Sequence, residues 1–207
     1  MRSVFLTALF LPLLCCADDV ISVGSSRPTS KFSQPDMKPV RSLDLGTFRI
    51  ILENTTLDDV IVQIGPGSSW SGRRPEDHDE ATELCYETRD GFVNFISDWE
   101  MGGPERDITE IALQKHSPPN HQSCPHISRR FEPVLLNGVV HLGMSRKVTY
   151  ALFGPGTLAP EHWVKYSYMG KRPGKCDPDG FDVINWLQIR FEGSAVAEIR
   201  AGQVTTC

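Results

Sequence analysis

Past residue 14 the chain holds no apolar run near the roughly 20 residues that a membrane-crossing helix needs, so no later segment is expected to span a bilayer. It has no basic excess either. The formal net charge is −5, and an acidic surface repels phosphate backbones, which argues against a nucleic-acid partner. Neither the HExxH zinc motif nor a phosphate-binding loop is present, and Gly67-Ser68-Ser69-Trp70-Ser71-Gly72 lacks the spacing of a nucleophile elbow. With no catalytic group assembled in the sequence, the expectation is a protein that is not an enzyme and uses no cofactor.

What is present begins with an export signal. Met1-Arg2 is followed by an almost entirely apolar stretch over residues 4–14 and the small-residue exit Cys15-Cys16-Ala17. This reads as a secretory signal peptide over residues 1–17, cleaved after Ala17, which predicts a secreted or periplasmic protein. The alternative is a lipoprotein signal with the lipid carried on Cys15 or Cys16; a membrane enters the reading only in that case. Cleavage removes Arg2 and takes the formal charge from −5 to −6. Four of the six cysteines then remain: Cys85, Cys124, Cys176 and Cys207. In an exported chain an even number reads as disulfides, here two drawn from three connectivities. Cys85 with Cys124 and Cys176 with Cys207 is preferred, because each bridge then stays within one half of the chain.

Residues 18–39 are rich in Ser, Pro and Lys without hydrophobic period and read as a flexible leader. Residues 117–133, with Pro118-Pro119 and Cys124-Pro125, read as a linker between ordered stretches over 40–116 and 134–207. Those two stretches resemble each other: IILENTTLDDVIVQIGPG (50–67) aligns without gaps on VVHLGMSRKVTYALFGPG (139–156). Thr56 and Ser145 are suited to cap helices that end at Gly65-Pro66 and Gly154-Pro155. Val60 and Ile64 in the first helix, and Val148, Ala151 and Leu152 in the second, fall on one face at helical spacing. Alternating strands follow each helix, at 84–88, 91–96 and 107–113 and again at 163–168, 183–191 and 195–199. The expected fold class is therefore α+β: two tandem modules, each a short helical element packed on a three- to four-stranded antiparallel sheet.

The pattern Leu142-Gly143-Met144-Ser145 with Leu152-Phe153-Gly154-Pro155, followed by strands that contain IRFEGSAVAEI (189–199), resembles the outer-membrane assembly lipoproteins of the BamE/SmpA type. Its occurrence twice in an exported chain resembles the beta-lactamase inhibitor proteins, which are a tandem of that module. The resemblance covers residues 45–206 and implies a tandem fold and a bacterial envelope setting. The sequence departs from the pattern at Thr149, where an aliphatic residue is usual, and at Glu53-Asn54-Thr55. An insertion over 68–82 adds to these departures, and no contact residue is carried over.

Candidate binding residues come from the chain itself. Trp70, Trp99, Trp163 and Trp186, with Tyr86, Tyr166 and Tyr168, fall on expected strands or their flanking loops, and aromatics bury large areas at small entropic cost. The four tryptophans are taken as candidate partner contacts and Trp70 as the best single anchor; Tyr166 and Tyr168 share one face. Glu76, Asp77 and Asp79, in the densest acidic run, form either a solvated loop or a loop that offers carboxylates to a basic partner or calcium. Asp177, Asp179 and Asp182 around Gly180 lack the closing acidic ligand of a calcium loop and read as a turn. His116, His121, Cys124 and His126 lie close in sequence, but the prolines and the expected oxidation of Cys124 argue against a metal site. Asn54-Thr55-Thr56 is a formal glycosylation sequon, taken as incidental to a helix start. The resulting expectation is an exported, non-catalytic protein that binds another protein, with inhibition of a secreted or periplasmic enzyme as the leading case and an envelope assembly or scaffold lipoprotein as the alternative.

Overall fold

The computed structural model describes residues 39–74, 79–102, 105–174 and 180–207. The signal segment and most of the leader lie outside these residues. Helix α1 (Leu57–Ile64) is set by its cap: the Thr56 hydroxyl accepts from Asp59 N, while the Asp59 carboxylate accepts from Thr56 N. That reciprocal pair satisfies amides the helix leaves open and holds the Asp59 carboxyl below its ordinary value, chiefly through the backbone hydrogen bond. Ser145 caps α2 (Arg146–Phe153) by accepting from Val148 N. Each helix stops at a positive-φ glycine, Gly65 at 109° and Gly154 at 78°, followed by a proline that cannot continue it.

The two helix ends are seated alike. Tyr86 Oη donates to the Gly65 carbonyl at 2.6 Å, and Tyr166 Oη donates to the Gly154 carbonyl at 2.9 Å. Both rings are 1 % exposed. Burial pushes each phenol up to about 12. The last glycine of each Gly-Pro-Gly turn lies against the same ring: a Cβ on Gly67 would stand 2.8 Å from Tyr86 Cζ, and one on Gly156 2.8 Å from Tyr166 Cζ.

The strands are β1 (Ser42–Leu45), β2 (Phe48–Ile51), β3 (Ser68–Arg73), β4 (Glu80–Thr88), β5 (Gly91–Asp98), β6 (Glu110–Gln114), β7 (Val134–Leu136), β8 (Thr157–Ala159), β9 (Trp163–Arg172), β10 (Phe181–Glu192) and β11 (Ala195–Thr206). They form a three-stranded sheet in the order β2-β1-β7 and an eight-stranded sheet in the order β3-β4-β5-β6-β11-β10-β9-β8. All pairings between these strands are antiparallel. One face of the large sheet is apolar: Leu84, Phe95, Ile111, Ala201, Leu187 and Tyr166 lie in one cross-strand row. Leu43, Leu45 and Leu136 of the small sheet join the same core, as do Leu57 and Val60 of α1. The buried Asn185 carboxamide ties the chain entry down, accepting from Val40 N at 2.9 Å and donating to Val40 O at 2.6 Å.

The expected pair of tandem helix-on-sheet modules is overturned. The described residues are mostly β, with two α-helices and two sheets of three and eight strands among them. The physical reason is the pairing of β6 with β11, where Ala112 faces Arg200 and Ile111 faces Ala201. These strands end the two expected meanders, and an unpaired strand edge is a row of open donors and acceptors that another edge can satisfy. Alternation within a strand carries no information about which edge it will meet. The second helix also turns the other way from expectation: Val148 is 47 % and Leu152 48 % exposed, while Thr149 is fully buried and its hydroxyl donates to Ser145 O. Thr149 fits because that bond satisfies its only polar group. The supposed insertion over 68–82 contributes β3 as an edge strand.

Candidate functional site

The alternation that sends one set of side chains into the core sends the other set to the opposite, open face of the large sheet. Following the cross-strand partners, one row on that face reads Trp70, Glu83, Ile96, Glu110, Gly202, Trp186 and Ser167. The row beside it reads Ser68, Cys85, Asn94, Ala112, Arg200, Gln188 and Lys165. Charged, polar, small and aromatic residues thus alternate across strands drawn from both ends of the chain.

At the β3–β6 end the face is acidic. Arg74, just past β3, is nearly fully buried and pairs with Glu110 at 3.1 Å, Asp98 at 3.8 Å and Asp79 at 4.0 Å. Glu83 accepts from Asn94 Nδ2 at 2.7 Å and Asn120 Nδ2 at 3.2 Å, and His121 Nε2 lies 3.4 Å away without hydrogen-bond geometry. Burial drives the Glu83 carboxyl up, but contact with His121, the two amides and the charge on His121 outweigh it and leave the group below its ordinary value. The segment after β6 lies over this part of the sheet. The Cys85–Cys124 disulfide fastens it, His121 Nδ1 meets Ser68 Oγ at 3.0 Å, and Glu87 exchanges backbone bonds with Pro125 and Ile127.

The β9–β11 end is open and more aromatic. Trp186 faces Gly202 across the strand pair and its ring covers that glycine: a Cβ there would come within 2.1 Å of Trp186 Cζ2. Trp163 has the guanidinium groups of Arg190 and Arg200 each 5.9 Å from its ring, and both arginines also hold Glu198. Met169, Ile184 and Val204 are successive cross-strand partners and form an apolar strip; Met169 is 78 % exposed. Between the two ends lies a hollow of about 280 Å³ lined by Arg74, Asp98, Met101, Glu110, Trp186 and Gln188.

Three of the four candidate tryptophans, Trp70, Trp163 and Trp186, lie on this face and are half-buried; Trp163 and Trp186 stand on adjacent strands, and Trp70 stands on the far edge strand β3. Trp99 stands in the turn after β5, 52 % exposed, and its indole N–H donates to Thr82 Oγ1 at 3.1 Å. Asp79 lies at the edge of the hollow. Glu76, Asp77, Cys176, Asp177 and Asp179 lie outside the described residues. The Cys85–Cys124 bridge preferred on sequence grounds is present, and Cys207 is disulfide-bonded as well. Ligand atoms of Cys85, His121 and Cys124 lie within 4.8 Å of one another, but both sulfurs are spent in the bridge and offer no thiolate. Arg74, Glu83, Glu110, Glu198 and Arg200 went unnoticed in the sequence. For Glu83, Glu110, Glu198 and Arg200 the signal was strand parity, since each is out of phase with core residues such as Leu84, Ile111 and Ile199; Arg74, just past β3, carries no such signal.

No described helix is long and apolar enough to cross a membrane. Compared with known proteins, the chain matches no family model, no curated protein and no solved structure. Nothing in these comparisons therefore bears on the resemblance to the BamE/SmpA-type lipoproteins or the beta-lactamase inhibitor proteins.

Proposed function

We propose that this chain is an exported, non-catalytic binding protein that uses the open face of its eight-stranded sheet to hold a folded protein, with an exported enzyme as the leading target. The observation that carries the reading is the pair of half-buried tryptophans Trp163 and Trp186 on the adjacent strands β9 and β10, at the open end of this face, with Trp70 on the same face at its far edge. Strands β9, β10 and β11 run for 10, 12 and 12 residues, roughly 33–40 Å at about 3.3 Å each, so the open end offers an elongated surface. Its ionic groups are largely engaged with one another, as in Arg74–Glu110 and Arg190–Glu198, so they suit recognition at fixed positions more than attack on a substrate. The hollow beside Trp186 matches a single protruding side chain better than a free small molecule, whose pockets are typically larger and more enclosed.

The test is capture from the exported fraction of the source, using the immobilised wild-type protein beside Trp70→Ala, Trp163→Ala and Trp186→Ala variants. The reading requires a retained protein whose affinity falls by about 30-fold with Trp186→Ala, as for an interface hot spot of about 2 kcal/mol. Retention that is indifferent to all three replacements would place the binding surface elsewhere. Turnover that follows a set of open-face carboxylates would replace binding with catalysis.

A further inference from the structure

The turn between β2 and α1 carries Asn54-Thr55-Thr56, and the three residues differ sharply in what the fold asks of them. Thr55 is buried and its hydroxyl accepts from Ile51 N at 3.0 Å. Thr56 is the helix cap. Glu53, on the other side, accepts from Gln203 Nε2 at 2.7 Å and from the Thr205 hydroxyl, which pins the turn to β11. Asn54 is exposed, and its carboxamide makes no hydrogen bond among the described residues. The neighbours on both sides thus use their side chains in the fold, whereas Asn54 takes part only through its backbone amide, which donates to Ile51 O.

We infer that Asn54 is an N-glycan acceptor. This rests on the export part of the functional reading and on nothing else in it. The sequon overlaps a helix start, but the cap needs only Thr56 and Asp59, so the helix start accounts for Thr56 and leaves Asn54 unexplained. The chemistry needs a lipid-diphosphate-linked oligosaccharide as donor. Asn54 Nδ2 attacks the anomeric carbon, a C–N glycosidic bond forms, the bond from that carbon to the diphosphate oxygen breaks, and the lipid diphosphate leaves as the amide loses one proton. Transfer uses the unfolded chain, where Thr56 still has a free hydroxyl two residues on and Thr55 in the middle is not proline. Folding then engages the Thr56 hydroxyl in the cap and leaves Asn54 pointing out, so the glycan has room. The turn belongs to the layer that covers the apolar face of the large sheet, so the glycan would stand away from the open face.

The experiment expresses the full chain with its own N-terminus in a eukaryotic secretory host and analyses the medium by intact-mass and peptide mass spectrometry. The expected result is a heterogeneous mass increment on the peptide containing Asn54. Peptide-N-glycosidase should remove it and leave Asp at that position. Asn54→Gln should abolish it, and Thr56→Ser, which keeps both the hydroxyl and the cap, should retain it. Secreted protein with an unmodified Asn54 overturns the inference and leaves export standing. A chain held inside the cell with an uncut N-terminus overturns export and the glycan together.

Discussion

Replacing Tyr86 by Phe removes one oxygen from a fully buried ring and leaves the ring itself in place. The lost group donates to the Gly65 carbonyl at 2.6 Å. A neutral hydrogen bond of this kind contributes about 1 kcal/mol net, and a stranded buried carbonyl costs about 1–3 kcal/mol. Gly65 is only half-buried, so water can reach its carbonyl, and the lower part of that range applies. The expected loss is about 1–2 kcal/mol, or about 2–8 °C in Tm for a unit of this size. Tyr166→Phe should cost about the same, because its hydroxyl meets Gly154 in the same way at 2.9 Å. A second signature lies in alkali. Each phenol is raised from 10.0 to about 12, so the folded state keeps its proton longer than the unfolded chain does. That stability is fully present below pH ~10 and is lost as pH rises toward 12, by about 1.4 kcal/mol per unit and per tyrosine. Urea unfolding of wild type and both variants at pH 8, 10 and 11 measures both effects. A Tyr86→Phe cost below about 0.3 kcal/mol at pH 8, with no flattening of the alkaline slope, would refute the account of how the helix ends are held.

Cys85→Ser with Cys124→Ser opens a loop of 39 residues, for which the chain-entropy model gives a loss of about 4 kcal/mol; calorimetry should show a large fall in Tm, and an unchanged Tm would mean the covering segment is held by other contacts. Glu83→Gln should cost about 1–3 kcal/mol at pH 7. The folded Glu83 carboxyl sits below its unfolded value, so its contribution is present above pH ~4.3 and fades as pH falls through the folded value. The gap in denaturant midpoint between the variant and wild type should therefore be smaller at pH 3.5 than at pH 7; a constant gap would rule out the ionised group as the cause. Asn185→Leu strands the Val40 amide and carbonyl and should cost about 2–4 kcal/mol, with amide exchange accelerated first at Val40 and along β1; uniform acceleration across β10 would point instead to damage in the sheet.

Much of the local structure was legible in the residues because its causes are local. Thr56 with Asp59, Ser145, and the two Gly-Pro-Gly turns determine where both helices begin and end, since caps and glycine conformations act over three or four residues. Alternation located β4, β5, β9, β10 and β11 in outline, and the bridge between Cys85 and Cys124 was one of three connectivities the cysteine count left open, preferred but not determined by the sequence. The candidate face was visible only as a scatter of tryptophans.

Only the tertiary structure decided which strand edges meet. Backbone donors and acceptors are the same at every position, so the pairing of β6 with β11 is chosen by the apolar area shared beneath them, and that pairing made one eight-stranded sheet where two were expected. The same competition turned α2 so that Tyr150 and Phe153 pack inward while Val148 and Leu152 face solvent, against the order of hydrophobicity along the helix. It also laid the segment around Cys124 over the charged end of the face. Residues 70, 163 and 186 lie far apart along the chain, and a surface built from them exists only once the long-range register is complete.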